Sequence, residues 1–520
     1  MRVITAVAAL VIAASLAAFA DSSPGGTMID LSFTGKVIAD PSHSAQSAIA
    51  DQLRFLIGQM NGYGAGVNPN RAVVSDIVTK KINNRSQVTY SASVPAIWNK
   101  RTRLSTTVEL NFPLDLSATE LARFVNKYAG TCVDAGAHDV DAGSLFFYFR
   151  PQRPGCNIAA SDMHRVQGVV SRPASSTAAK FPEYDKVWAD GTLNVVAIFE
   201  KYEPGANASS DAGIAAYDAF IASMKDDIGR RKHTTTPSSV PTRPGTSLPD
   251  VEFNAALPDG KRINVVALLV DDIGTAFSRG RLRLRYESLA AGADLIVCNG
   301  RTGAFGGFTG AGRWTRGQYA VVFLNGPDSW SFDDAMLRTA HARVNSDDPK
   351  GFKYLDVVTN GMPAFFASMP AATMAIYRGL SAVDNPQTYD QILASIDPAQ
   401  LALVTGDHDN GFTHSTAGGG ASWEGLNASG KVAKNETRQW ITPQLTAGTY
   451  VFSTSGSGGD VDLYVRIGRA PTTSSYDCRP AKTGSVESCE VHIAQPAAIY
   501  VMVRGYAPSS DFTVVGRKAN

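Results

Sequence analysis

Between residues 182 and 405, short apolar runs alternate with stretches whose apolar positions recur at helical spacing. Residues 193–199 (LNVVAIF) read as a strand and 211–228 as the helix after it. Residues 251–256 and 262–270 are strand-like runs around a turn at Pro258, Asp259 and Gly260. Strands are predicted at 293–298, 319–324 and 354–358, with helices near 277–290, 332–344 and 364–380. Strands this apolar are buried on both faces, so the pattern predicts a parallel sheet covered by helices on each side. Such a sheet takes ligands where loops leave the carboxyl ends of its strands.

The flanking regions follow other rhythms. In 28–180, a helix is expected over 45–60, and 88–96 and 104–112 alternate apolar and polar residues as half-buried strands do. A second helix is expected over 116–128, with Ser117 as its cap and Glu120 at capping-box spacing. Residues 144–149 read as a further strand, giving an α+β domain without a legible function. From 431 to 520, strand-like runs at 449–454, 462–467, 487–493, 499–506 and 512–515 are separated by turn residues around Gly456, Gly459, Pro471, Gly484 and Pro496. That spacing predicts a β-sandwich. Residues 233–249, rich in Thr, Ser and Pro, read as an insertion within one α/β unit, and 407–430, with Gly418, Gly419 and Gly420, as a flexible linker.

Composition adds the compartment and removes some partners. At 520 residues the chain should form more than one domain. Its 48 basic and 47 acidic residues form no long run of either sign, which argues against a nucleic-acid partner. Residues 1–20 have a signal peptide's layout: Arg2, an apolar run to Phe19, and Ala18 and Ala20 before Asp21. No later stretch is apolar enough for stable membrane insertion, so export to the periplasm or the medium is expected. In an oxidising compartment Cys132 is expected to pair with Cys156 and Cys478 with Cys489. Cys298, within an apolar run, reads as a small buried hydrophobe.

The C-terminal words are more specific than their rhythm. SGSGGDVDLYVRIGRAPTTSSYDCRPAKTGSVESCEV, followed by YVMVRGYAPSSDFTV, resembles the bacterial pre-peptidase C-terminal domain. The resemblance implies a jelly-roll-like accessory module, carried mostly by secreted peptidases, often removed after export and without catalytic residues. Within the module, Asp460 and Asp462 could supply oxygens to calcium, although a structural aspartate in a turn is the plainer reading.

Two strand ends in the α/β region rhyme. ADLIVCNGRTG turns at Asn299 and Gly300, before Arg301; YAVVFLNGPDS turns at Asn325 and Gly326, before Pro327. Core strands ending in such turns resemble the caspase- and gingipain-like cysteine peptidases, where a His follows one strand and the nucleophilic Cys the next. The resemblance would place the His at Arg301 and the Cys at Pro327. Arginine stays protonated and cannot act as a base, and proline carries no nucleophile. What the alignment keeps is scaffold and recognition: Gly300 and Gly326 as sharp turns, Arg301 as a fixed positive charge, and Asp328 as its expected salt-bridge partner.

Other chemistry is thin. No H-E-x-x-H, G-x-S-x-G or G-x-x-x-x-G-K-[ST] pattern occurs. The glycines from 300 to 312 precede a strand and so read as a flexible loop. Ser329 has no histidine near it in sequence, and His341 or His408 could approach only through the fold. Asp134, His138, Asp139 and Asp141 could ligate a metal but read more simply as a solvated loop. Three functions stay open: a catalytically degenerate, peptidase-like binding protein, which the substitutions favour; an active peptidase with catalytic residues elsewhere; and a non-enzymatic binder of an extracellular protein or polymer.

Overall fold

The computed structural model describes residues 23–137, 140–172, 180–229, 231–332, 335–383, 385–406, 412, 423, 425–442, 445–494 and 497–519. The leader-like residues 1–22 and most of 407–424 lie outside them. The chain divides into two compact units, Met1–His414 and Ser415–Asn520. Among the described residues no helix is long and apolar enough to cross a membrane.

The first part of the larger unit is an antiparallel sheet packed on one long helix. Its elements are β1 (Gly26–Ala39), α1 (Ala45–Gly62), β2 (Ala65–Val67), β3 (Val73–Ile82), β4 (Arg85–Asn99), β5 (Thr107–Pro113), α2 (Ala118–Tyr128), α3 (Leu145–Tyr148) and β6 (Met163–Ser171). The strand order is β2-β4-β1-β6-β5, with β3 also paired to β4. Ser44 caps α1 by accepting from the Ser47 amide at 3.0 Å. The helix buries Ile49, Leu53, Leu56 and Met60 in one core with Ile29, Leu31 and Val94. Two buried glutamines pin it to the sheet. Gln52 donates to the Lys36 and Pro113 carbonyls and accepts from the Tyr90 hydroxyl, and Gln59 accepts from the Asn111 amide.

Two local expectations fail here for identifiable reasons. Within residues 144–149, Leu145–Tyr148 form a helical turn, not a strand. Phe146 and Phe149, three apart, both pack on Phe55, at 6.5 and 5.7 Å, which a period of two would prevent. The Cys132–Cys156 disulfide closes this region as expected. Helix α2 forms without a capping box: the Ser117 hydroxyl donates to Asp115 at 2.7 Å, and Glu120 is taken up by Arg123.

The second part of this unit is the α/β layer. Its strands are β7 (Thr192–Glu200), β8 (His233–Thr236), β9 (Asp250–Ala256), β10 (Arg262–Val270), β11 (Leu295–Asn299), β12 (Ala320–Asn325), β13 (Leu355–Asn360) and β14 (Ala402–Gly406). Its helices are α4 (Tyr184–Val187), α5 (Ala212–Ile228), α6 (Ile273–Ala276), α7 (Arg281–Ala290), α8 (Phe305–Thr309), α9 (Ala335–Val344), α10 (Met369–Ser381) and α11 (Tyr389–Leu393). The strand order is β14-β13-β12-β11-β7-β10-β9-β8. The interior, β13 to β10, is parallel, while β9, β8 and β14 add antiparallel edges. A wholly parallel sheet is excluded by the short turn before β10, which can close only a hairpin. The Thr/Ser/Pro-rich insertion contributes β8 to that edge. Alternate residues of β11 face opposite layers: Leu295 and Val297 join the core under α5 and α10, Ile296 and Cys298 the core under α7 and α8. The stretch read as a flexible glycine loop is instead α8 and the turn before it, anchored by the buried Phe305 and Phe308.

The smaller unit is all β. One sheet is β15-β21-β17-β19 and the other β16-β20-β18, formed by β15 (Leu426–Ala433), β16 (Thr437–Ile441), β17 (Gly448–Ser455), β18 (Val461–Ile467), β19 (Glu487–Ile493), β20 (Ile499–Gly505) and β21 (Ser509–Lys518). Phe452, Leu463, Val491, Val501 and Val514 share the core between them. The Cys478–Cys489 disulfide ties β19 to the segment bridged to β18. Strand β15 begins inside the stretch read as linker, and Trp423 packs on Tyr450 and Phe452 at 5.8 and 5.9 Å.

A fragment spanning Ser415–Asn520 should therefore unfold in one cooperative transition, and one starting at Lys431 should unfold at lower denaturant, having lost Trp423 and half of β15. Reducing the disulfide, which closes a short loop, should cost about 2–3 kcal/mol. Chemical denaturation of both fragments checks this; equal midpoints would contradict it.

Candidate functional site

The carboxyl edge of the parallel sheet begins with a charge that has nowhere to go. Glu200 ends the central strand β7 with its side chain fully buried. Its carboxylate accepts from the Arg301 amide at 2.7 Å, from the Arg301 guanidinium at 2.9 Å and from the Ile273 amide at 3.2 Å. Arg301 also reaches Asp272 at 3.2 Å. The hydrogen bond that the guanidinium donates to Glu200 raises its pKa above the ordinary value, so position 301 holds a permanent cation. The expected Arg301–Asp328 salt bridge does not form, because the buried carboxylate of Glu200 takes the guanidinium first.

Next to this pair an amide ladder crosses the strand ends. Asn360 on β13 donates to Asn325 on β12 at 3.0 Å, Asn325 donates to Asn299 on β11 at 2.8 Å, and Asn299 donates to the Ile198 carbonyl of β7 at 3.0 Å. All three asparagines are fully buried. Chained amides of this kind fix neighbouring strand ends relative to one another. The two glycine turns sit directly against the network. A Cβ on Gly300 would lie 2.6 Å from a Glu200 carboxylate oxygen, and one on Gly326 would lie 2.5 Å from the Gly300 carbonyl. Only glycine permits that approach.

The turn after β12 is sealed by the antiparallel part of the same unit. Pro327 offers its carbonyl to the Thr302 hydroxyl. Asp328 adopts a left-handed backbone with φ 51° and accepts from Asn61, near the end of α1, at 2.8 Å. Asn70 donates to the Ser331 carbonyl at 2.6 Å. Ile97 and Trp330 share a small core with Leu401 and Leu403. A Cβ on Gly66 would fall 2.0 Å from the Gly361 carbonyl, so β2 and the β13 exit meet backbone to backbone. Burial pushes the Asp328 carboxyl up to about 7, partly offset by Asn61 and by the charge of Arg150.

Other candidates are committed elsewhere. Cys298 is fully buried, and burial pushes its thiol up, away from the reactive thiolate. Ser329 accepts from the Asn360 amide at 2.8 Å. His341 is buried beside Trp314, ring centroids 4.1 Å apart, with its pKa lowered to about 4 by burial. Asp134 pairs with Arg150 and accepts from the Gly136 amide, and Asp141 accepts from the Gly143 and Ser144 amides. His138, Asp139 and His408 lie outside the described residues. Among the described residues no group of three or more His, Cys, Asp or Glu side chains is placed to hold a metal ion. In the smaller unit Asp460 accepts from the Gly484 amide, and Asp462 accepts from Arg479, so a cation would have to displace those partners.

Sequence reasoning missed Glu200, Asn61 and Asn360. Asn360 was within reach, since VVTNG repeats the rhyme of VCNG and FLNG. Glu200 looks like an ordinary polar strand end, and Asn61 meets Asp328 across 267 residues of chain.

Comparison with known proteins locates one part of the chain. Residues 442–505 match the bacterial pre-peptidase C-terminal domain, the segment that forms β17 to β20. The chain is 46% identical over 68 residues, 13% of its length, to a zinc metalloprotease of Helicobacter pylori. It is 46% identical over 68 residues to the hemagglutinin/proteinase of Vibrio cholerae. It is 36% identical over 123 residues, 24% of its length, to an extracellular protease of Xanthomonas campestris. The chain spans 27%, 11% and 20% of these relatives.

Removing the cation at the sheet edge should strand a buried carboxylate. Arg301→Ala is expected to lower stability by about 2–3 kcal/mol, a buried-pair cost reduced because Arg301 is part exposed. Adding Glu200→Gln should restore most of it, and a double-mutant cycle showing additive losses would contradict the pairing.

Asp328 sets a pH dependence of defined sign. Its folded pKa near 7 lies above the unfolded value of about 3.9. The folded state therefore holds the proton longer, and stability falls as pH rises from about 4 to about 7. Asp328→Asn should match the wild type near pH 4 and exceed it by about 4 kcal/mol at pH 8. Parallel denaturation curves at both pH values check this; a constant difference between the proteins would refute it.

Proposed function

We propose that this chain is a secreted, peptidase-related protein whose α/β core binds a ligand and does not cleave it. One observation carries the reading: the two strand-end positions that would need a base and a nucleophile hold a guanidinium bound to Glu200 and a proline. The sheet topology supports the resemblance to caspase- and gingipain-like peptidases. Strands β11 and β12 are adjacent and parallel, and their turns touch, the Gly300 amide donating to the Asn325 carbonyl at 3.3 Å. A nucleophile and its base would have to face each other across such a gap. Arg301 cannot accept a proton there, and the turn after β12 lies under Asn61 and Asn70.

The accessory β unit supports the peptidase-related and extracellular part of the reading, because its relatives above are proteases. That support is by association, since a fold module does not carry its neighbours' activity. An extracellular protein or polymer is the class of partner proposed, with no resident cofactor in the core.

Purified protein should leave casein and mixed peptide libraries intact over a day at neutral pH, as read by mass spectrometry. Proteolysis abolished by a thiol reagent would overturn the strand-end alignment. Proteolysis insensitive to thiol reagents would overturn the non-catalytic reading as a whole.

A further inference from the structure

We propose that the cleft between the end of α1, residues 134–135 and 150–154, and the loop leaving β13 binds the carboxyl terminus of a peptide ending in an apolar residue. The inference deepens the binding reading above and rests on it. The cleft has a volume of about 560 Å³, within the range of small-ligand sites, and it stands at the carboxyl edge of the sheet, where such sites collect.

Its chemistry is asymmetric. Two guanidinium groups, Arg150 and Arg153, face one carboxylate, Asp134. Arg150 is spent internally: it donates to the Gly58 and Phe147 carbonyls and pairs with Asp134 at 3.3 Å. Arg153 gives an N–H to the Val133 carbonyl and is otherwise exposed, leaving a donor fork for an incoming anion. Beside it the exposed Gln152 commits its amide nitrogen to the Gln59 carbonyl at 3.0 Å, which leaves its oxygen to accept. The wall is apolar, and its Phe365 is 71% exposed.

A donor fork, an adjacent acceptor and an aromatic face match the last residue of a peptide. That residue alone carries a carboxylate, an amide N–H and a side chain on one Cα. Guanidinium–carboxylate bonding is charge-assisted and geometrically specific. A phosphate would ask for more free cation than Arg153 supplies, and an internal peptide segment has no carboxylate to offer.

The test is calorimetry on the full chain with an alanine-rich tetrapeptide ending in leucine. The free acid should bind saturably, and the same peptide with an amidated terminus should bind at least about tenfold more weakly. Arg153→Ala and Phe365→Ala, both at exposed positions and so expected to fold, should each weaken the free acid about five- to tenfold. Three results would overturn the proposal: no saturable binding of intact free acid; equal affinity for acid and amide; or an amidated peptide with an internal aspartate binding as well as the free acid. Mass spectrometry of the recovered peptide separates the two readings. Cleavage would sink the non-catalytic function, whereas an intact, unbound peptide would sink the cleft alone.

Discussion

A carboxylate with no exposure to water, at the end of the central strand, decides what can stand beside it. Glu200 cannot remain ionised and buried unless a cation and hydrogen-bond donors meet it. Arg301 supplies the cation and its own backbone amide, and Ile273 supplies a further amide. To reach that geometry the chain must turn at once after β11, against the carboxylate itself, which only Gly300 allows. The Gly300 carbonyl in turn presses on Gly326, so the β12 exit is fixed by the same charge. Position 301 is thereby assigned to neutralising a neighbour and is lost to proton transfer.

The sealing of the next turn follows the same economy of partners. Asp328 leaves β12 in a left-handed conformation and would be an unpaired buried carboxyl without Asn61. Its partner comes from α1, which the buried Gln52 and Gln59 hold to the antiparallel sheet. Two parts of one unit, with separate cores, are joined through a few polar contacts and the small cluster around Ile97 and Trp330. A joint of this kind positions a cleft at its rim, lined by Arg153 and Phe365.

The sequence was most legible where burial is symmetrical. Strands β7, β11 and β12 are apolar on both faces and announce themselves, as does the alternation of the helices over them. Exposed strands such as β15 and β16 carry no such signal, which is why the smaller unit starts earlier than its apolar runs suggested. Helix α3 was misread because its aromatics crowd together, and only the position of Phe55 shows their period. The strand-end turns were visible as a repeated Asn-Gly, but the residue that gives Arg301 its role was not. A glutamate at the end of a strand looks the same in sequence whether water or an arginine receives it.

The strand-end turns are closed and committed. Amide hydrogen exchange at Arg301 and Asp328 measures this directly, since the first amide donates to Glu200 and the second to the Met362 carbonyl. Both should exchange as slowly as the amides of β11 and β12, within the range of cooperative unfolding. Exchange within seconds at either position, with the two strands still protected, would show an open edge and contradict it.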